Sequence, residues 1–222
     1  MESKGWFRYG LLIVLVVFLF FLNLGKWDLW NPDEPRYAEI AREMLISGDW
    51  ILPRLNGEVY FDKPPLFFWL IAFSAKVWGE LTSFSARFPS ALFASLTVLL
   101  IFFFGKRVFN QRVGLFAALI LATNVEFFWL ARRANIDATL TFFTTLTIFS
   151  FYFGFLQPNH RFCFYFIGFL SMGIGFLTKL QVAIVVPGLT ILTFLVATKN
   201  YKLLKDLRFF LTSPVFFLVV FS

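Results

Sequence analysis

The chain has 222 residues, of which 59% are hydrophobic and 15% charged, against roughly 25% charged residues in a soluble domain. Thirty-five of them are phenylalanine, more apolar surface than a soluble core of this size can hide, so soluble folds and intrinsic disorder are both excluded. Lys and Arg number 20 against 13 Asp and Glu, a net charge of +7. In a membrane chain this excess belongs to cytoplasmic loops, and those loops are too short and motif-free for nucleic acid.

A bilayer-spanning helix needs about 20 mostly apolar residues. Residues 9–24 form the first such run, with no small-residue cleavage site after it, so an uncleaved helix is expected rather than a signal peptide. A polar stretch follows, and it holds most of the acids. Further spans are predicted near 84–104, 113–130, 137–156, 162–178, 182–198 and 209–222. The run at 66–79 is short and carries Lys76. If it does not span, then Lys4, Arg8, Lys106, Arg107, Arg112, Arg161, Lys199, Lys202, Lys205 and Arg208 share one face. The positive-inside rule makes that face cytoplasmic. Residues 25–83 are therefore predicted to form one outer loop, with 66–79 as a re-entrant or interfacial helix. The fold class is all-α integral membrane, a multi-spanning bundle. The chain stops inside the apolar run SPVFFLVVFS, so more helices or a further domain are expected beyond Ser222, and this piece alone is expected to be inactive.

The outer loop opens with WDLWNPDEPRYAEIAREMLISGDW. Tyr37, Ile40, Ala41, Met44 and Leu45 recur at helical spacing, which predicts an amphipathic helix on the membrane surface. Asp33 stands where an N-cap is expected, Pro35 suits a first turn, and Ser47-Gly48 marks the end. Capping and the helix dipole account for Asp33 and Glu34 unless the adjacent Arg36 signals a site. Next, VYFDKPPLFFW places Asp62 and Lys63 before two prolines that fix the backbone. Downstream, LARRANIDATLTF holds Arg132, Arg133 and Asp137, and GFLTKLQ holds Lys179. Arginines on the outer face run against the positive-inside trend and call for an anion, whether lipid head groups or a substrate. Glu126 is close enough in sequence to pair with one of them. Acids beside cations at the outer boundary suit an amphiphilic phosphate. The cations would hold the phosphate, one carboxylate could act as base and another could hold a metal.

The stretch from DEPRYAEIAREML to NGEVYFDKPPLFFW, with RRANIDATL and FLTK behind it, resembles the bacterial lipid-linked-sugar glycosyltransferases. These include the 4-amino-4-deoxy-L-arabinose lipid A transferases and the protein mannosyltransferases. The resemblance implies the GT-C membrane fold, with amphipathic interfacial helices in the first outer loop. It also implies transfer of a sugar, with inversion, from a polyprenyl-phosphate carrier to a lipid A, glycan or protein acceptor outside a prokaryotic plasma membrane. It implies Asp33 and Asp137 as catalytic acids, Arg36, Lys63 and Lys179 as substrate-binding residues, and Asp62 as a metal ligand; Glu34 and Arg132, charged and at the same outer boundary, are expected to bind substrate as well. A divalent metal ion is the one cofactor implied. Two positions depart from the family pattern: the usual Glu before Lys-Pro is Asp62, and the usual Gly after Thr-Lys is Leu180. The alternatives are a transporter or flippase for a lipid-linked anion, which would place its charges near the bilayer midplane, and a non-catalytic membrane subunit.

Overall fold

The computed structural model describes residues 3–200 and 206–221; Lys202 and Lys205 of the predicted cytoplasmic set lie outside them. Among the described residues the regular structure is helical apart from one short hairpin, and the chain divides into two compact units. The first comprises residues 1–60 and 67–139, and the second residues 61–66 and 140–222.

In the first unit, α1 (Ser3–Phe21) and α4 (Ser83–Val108) pack with α5 (Gln111–Thr123) and α6 (Val125–Ala131). Leu12, Val16 and Phe20 recur every fourth residue, so one stripe of α1 is buried against Ala91, Ala94, Val98 and Phe102 of α4. Small residues bring α4 and α5 close. A Cβ on Gly105 would lie 2.7 Å from the Gly114 Cα, the kind of backbone approach that membrane helices use in place of a hydrophobic driving force. Asn110 reverses the chain between them, its side chain accepting from the Arg112 and Val113 N–H groups at 3.0 Å each.

The span predicted at 113–130 is not one straight helix. α5 and α6 meet at 70°. The cause is Asn124, whose side chain accepts from the Phe127 N–H at 3.0 Å and so starts a new helix instead of continuing the old one.

The outer-loop helix, α2 (Asp33–Ser47), ends as predicted. Gly48 takes φ 71° and donates its N–H to the Met44 carbonyl. Its apolar face meets protein, not lipid. Tyr37, Ile40, Ala41 and Met44 are buried with Phe67, Phe68, Ile71 and Ala72 of α3 (Leu66–Trp78). Periodicity shows that a face is apolar but not what covers it, and a second apolar helix serves as well as a bilayer. At 13 residues, α3 is about 20 Å long, short for a span, as its sequence suggested. Between the two helices, β1 (Arg54–Leu55) and β2 (Glu58–Val59) pair through Asn56-Gly57. Both turn residues have positive φ, 56° and 83°, the geometry that Asn-Gly favours. The Glu43 carboxylate accepts from both turn N–H groups.

The second unit holds most of α7 (Ile136–Leu156), then α8 (Arg161–Lys179), α9 (Val182–Thr198), α10 (Leu207–Thr212) and α11 (Pro214–Phe221). Its core is aromatic: Phe151, Tyr165 and Phe169 are buried, with Phe209 against all three rings. The span predicted at 209–222 is two short helices broken at Ser213-Pro214, where proline lacks the N–H a continuous helix needs. Among the described residues, three helices are long and apolar enough to cross a bilayer, Ser83–Val108, Ile136–Leu156 and Pro158–Lys179 (the last counted with its leading 3-10 turn). The bent α5–α6 pair makes a fourth if it is one span.

Candidate active site

The site in the first unit is organised around a buried ion pair. Glu34 is 2% exposed and Arg87, on α4, is 6% exposed. Arg87 Nε donates to Glu34 Oε1 at 2.9 Å, and Nη2 donates to Oε2 at 2.8 Å. The remaining guanidinium hydrogens go to the carbonyls of Leu24, Trp27 and Asp28 at 2.8–3.0 Å. Glu34 also accepts from the Trp30 N–H at 2.7 Å and the Ala134 N–H at 2.6 Å. Burial alone would raise its pKa. The hydrogen bonds from Arg87, Trp30 and Ala134, with the Arg87 charge, outweigh burial and hold the carboxyl below the usual glutamate value. Glu34 is expected from the sequence to bind substrate; what the structure shows is a structural role. Its oxygens are spent on tying α2, α4, the 24–30 segment and the Ala134 segment together.

With α2 pinned there, its first residue is set in place. Asp33 is exposed and is not the N-cap. That position is Pro32, and no side chain caps the helix. The helix begins one residue earlier than expected, within the usual uncertainty of helix ends. Asp33 Oδ1 lies 3.6 Å from Arg36 Nη1. Arg36 is hydrogen-bonded to Tyr60, and this bond, more than the Asp33 charge, raises its pKa. The phenol of Tyr37 is pushed up first by burial, then by the charge of Asp33, by Tyr60 and by the charge of Asp137, with Arg36 opposing them. Asp33 and Asp137, about a hundred residues apart in sequence, therefore act on one phenol. Asp137 is half-buried in the first turn of α7, where its N–H donates to Asn135 Oδ1 at 2.6 Å. Asn135 is held in turn by Ser90, whose Oγ bonds both its N–H and its carbonyl at 3.0 Å.

Arg132 and Arg133 differ in what they touch. Arg132 donates to the Leu19 and Leu22 carbonyls at 2.7 and 2.8 Å, satisfying the end of α1. Its guanidinium thus works as a cap for another helix, beside the substrate-binding role that the sequence suggests. Arg133 lies over the Trp129 ring at 3.8 Å and the Trp30 ring at 4.8 Å. Glu126 is exposed, and among the described residues it pairs with neither arginine.

Asp62, Lys63 and Lys179 belong to the second unit. Asp62 is exposed and Lys63 half-buried, just ahead of Pro64-Pro65. Lys179 ends α8, where a cation suits the helix dipole. The next residue, Leu180, adopts φ 27°, a conformation that favours the glycine usual at this position. Among the described residues, no three His, Cys, Asp or Glu side chains converge to hold a metal ion.

Arg87, Tyr37 and Tyr60 carry parts of the site that sequence reasoning missed. A signal for Arg87 was present: a lone cation in the apolar run 84–104, where an ionisable group demands a partner. Tyr37 read as one more apolar residue on the helix face, and Tyr60 lies in the hairpin, which has no helical period.

A family model described as dolichyl-phosphate-mannose-protein mannosyltransferase matches residues 62–222. An undecaprenyl phosphate-alpha-4-amino-4-deoxy-L-arabinose arabinosyl transferase of Pseudomonas fluorescens (strain Pf0-1) is 36% identical over 203 residues, covering 90% of this chain. The chain spans 37% of that relative's length. Among solved structures, ArnT from Cupriavidus metallidurans bound to undecaprenyl phosphate superposes with a TM-score of 0.90 at 29% identity, over 99% of this chain and 40% of that one. The archaeal oligosaccharyltransferase AglB from Archaeoglobus fulgidus shares the fold, with a TM-score of 0.73 at 16% identity, over 99% of this chain and 29% of that one. The chain therefore belongs to the dolichyl-phosphate-mannose-protein mannosyltransferase family, and its helical membrane architecture is the GT-C fold.

Proposed function

We propose that the intact protein is a membrane glycosyltransferase that takes a sugar from a polyprenyl-phosphate carrier and passes it to lipid A, a glycan or a protein on the outer face of a prokaryotic plasma membrane. The observation that supports this is that Asp33, paired with Arg36 beside Tyr60, and Asp137 both bear electrostatically on the Tyr37 phenol. The bacterial relative named for an undecaprenyl-phosphate sugar, and the undecaprenyl phosphate in the C. metallidurans structure, support the donor class. In the proposed step, the acceptor oxygen or nitrogen attacks the anomeric carbon as the bond from that carbon to the phosphate oxygen breaks. Polyprenyl phosphate leaves with the electron pair, and the configuration inverts. Asp33 takes the proton that the acceptor loses, and Asp137 supports the developing positive charge. Arg36 holds Asp33 in place. Lys63 and Lys179 bind the carrier phosphate as point charges. If a divalent ion takes part, Asp62 would supply one carboxylate toward it.

Lys63→Ala in the intact enzyme is expected to weaken donor use by about 2–5 kcal/mol, the usual loss when one partner of a desolvated charge pair is removed. Arg112→Ala, in the predicted cytoplasmic loop, should change it little. Donor titrations of the two variants check this, and equal small effects would make Lys63 a solvated turn residue. The orientation has its own test. In a Cys163→Ser background, an impermeant thiol reagent outside should label a cysteine at Asn56 and spare one at Asn110. The reverse pattern would put the site on the cytoplasmic side.

A further inference from the structure

The geometry points to a lipid-phosphate site apart from the Asp33 cluster: the cavity beneath Trp30 and Trp129, where Arg133 binds the phosphate of an anionic lipid. The cavity holds about 830 Å³. Its charged lining is three guanidiniums, Arg87, Arg132 and Arg133, against two carboxylates, Asp28 and Glu34. Glu34 is neutralised by Arg87, and Arg132 is occupied by carbonyls. That leaves Arg133 against Asp28, and no ion pair joins those two. Among the described residues, Arg133 has neither a hydrogen bond nor a salt bridge; its contacts are the two indole rings. Stacking fixes the guanidinium plane and leaves its N–H edges free, the arrangement that receives phosphate oxygens in pairs.

The surroundings are those of a membrane edge. Trp27, Trp30 and Trp129 are 70%, 62% and 49% exposed, as in the aromatic belts that lie at head-group depth. Arg132 ties the cavity to the end of α1, and Arg87 ties it to the first turns of α4. It therefore lies at the opposite end of the 26-residue α4 from Lys106 and Arg107. On that side an unpaired arginine has no cytoplasmic loop charge to explain it. The phosphate could belong to a bilayer phospholipid or to a lipid substrate; both present the same group at the same depth.

Native mass spectrometry of the purified chain tests the site, with phosphatidylglycerol and phosphatidylcholine as probes. Wild type should retain phosphatidylglycerol in preference. Arg133→Gln should lower that occupancy about tenfold or more, Arg133→Lys should recover part of it, and Arg112→Gln should change nothing. Binding by Arg133→Gln equal to wild type, or no preference in wild type, overturns the proposal. Undecaprenyl phosphate is the competing probe. Displacement of phosphatidylglycerol at equal or lower concentration assigns the site to a lipid substrate, and failure to displace it assigns the site to the bilayer; either keeps the site. If Arg133→Gln does not fold, wild type alone decides the matter. Dibrominated phosphatidylglycerol should quench tryptophan emission more than dibrominated phosphatidylcholine does, and equal quenching overturns the proposal.

Discussion

Asp33→Asn in the intact enzyme should lose transfer by about 10²- to 10⁴-fold, the usual contribution of a positioned general base, while the protein folds and binds donor normally. The structure makes this substitution more decisive than the sequence did. Asp33 caps nothing, since Pro32 holds the N-cap position without a side-chain bond. What remains to lose is an exposed 3.6 Å contact with Arg36 and a favourable place at the helix dipole, together about 1 kcal/mol or less. A large loss of rate beside an almost unchanged melting temperature is therefore expected. Transfer assays and thermal unfolding of the same preparation check both parts. Near-normal transfer would move the base to Asp137.

Arg87→Met should have the largest effect on stability, about 3–5 kcal/mol, because it strands a buried carboxylate. Replacing both partners with apolar residues, Arg87→Met with Glu34→Leu, should recover part of the loss, although the carbonyls of Leu24, Trp27 and Asp28 lose their donor in either case. The pair also sets a pH dependence. The folded-state pKa of Glu34 is depressed, so its contribution is fully present above the unfolded glutamate pKa and is lost as pH falls through the lower folded value. Wild type should therefore weaken on acidification below the ordinary glutamate range. Arg87→Met, without the Arg87 bonds and charge that help depress the pKa, should show a flatter acid limb. Melting curves across that range check the prediction. A variant that melts like wild type at neutral pH would mean that the pair does not anchor α2.

The candidate residues were legible because chemistry marked them. Asp33, Arg36 and Asp137 stood out as charges in an apolar chain, and all three bear electrostatically on Tyr37. Gly48 announced the end of α2, and Asn-Gly fits the hairpin. What stayed hidden depended on distant partners. Glu34 and Arg87 lie 53 positions apart, and no local period connects them, so the acid looked available for substrate. Arg132 looked like a ligand for the same reason; the carbonyls it caps are more than a hundred residues upstream. The face of α2 read as lipid-facing because Tyr37, Ile40 and Met44 look the same to a bilayer and to Phe67 and Phe68. The bend at Asn124 was concealed by the apolar residues on both sides, which hydropathy averages into one span.

Glycosyl transfer is tested by following the donor itself. Intact enzyme in liposomes, given a radiolabelled undecaprenyl-phosphate sugar and an acceptor, should release one undecaprenyl phosphate for each sugar transferred, and Asp33→Asn should release almost none. Donor that crosses the bilayer with its sugar still attached, and no free carrier, would contradict glycosyl transfer and make the protein a flippase.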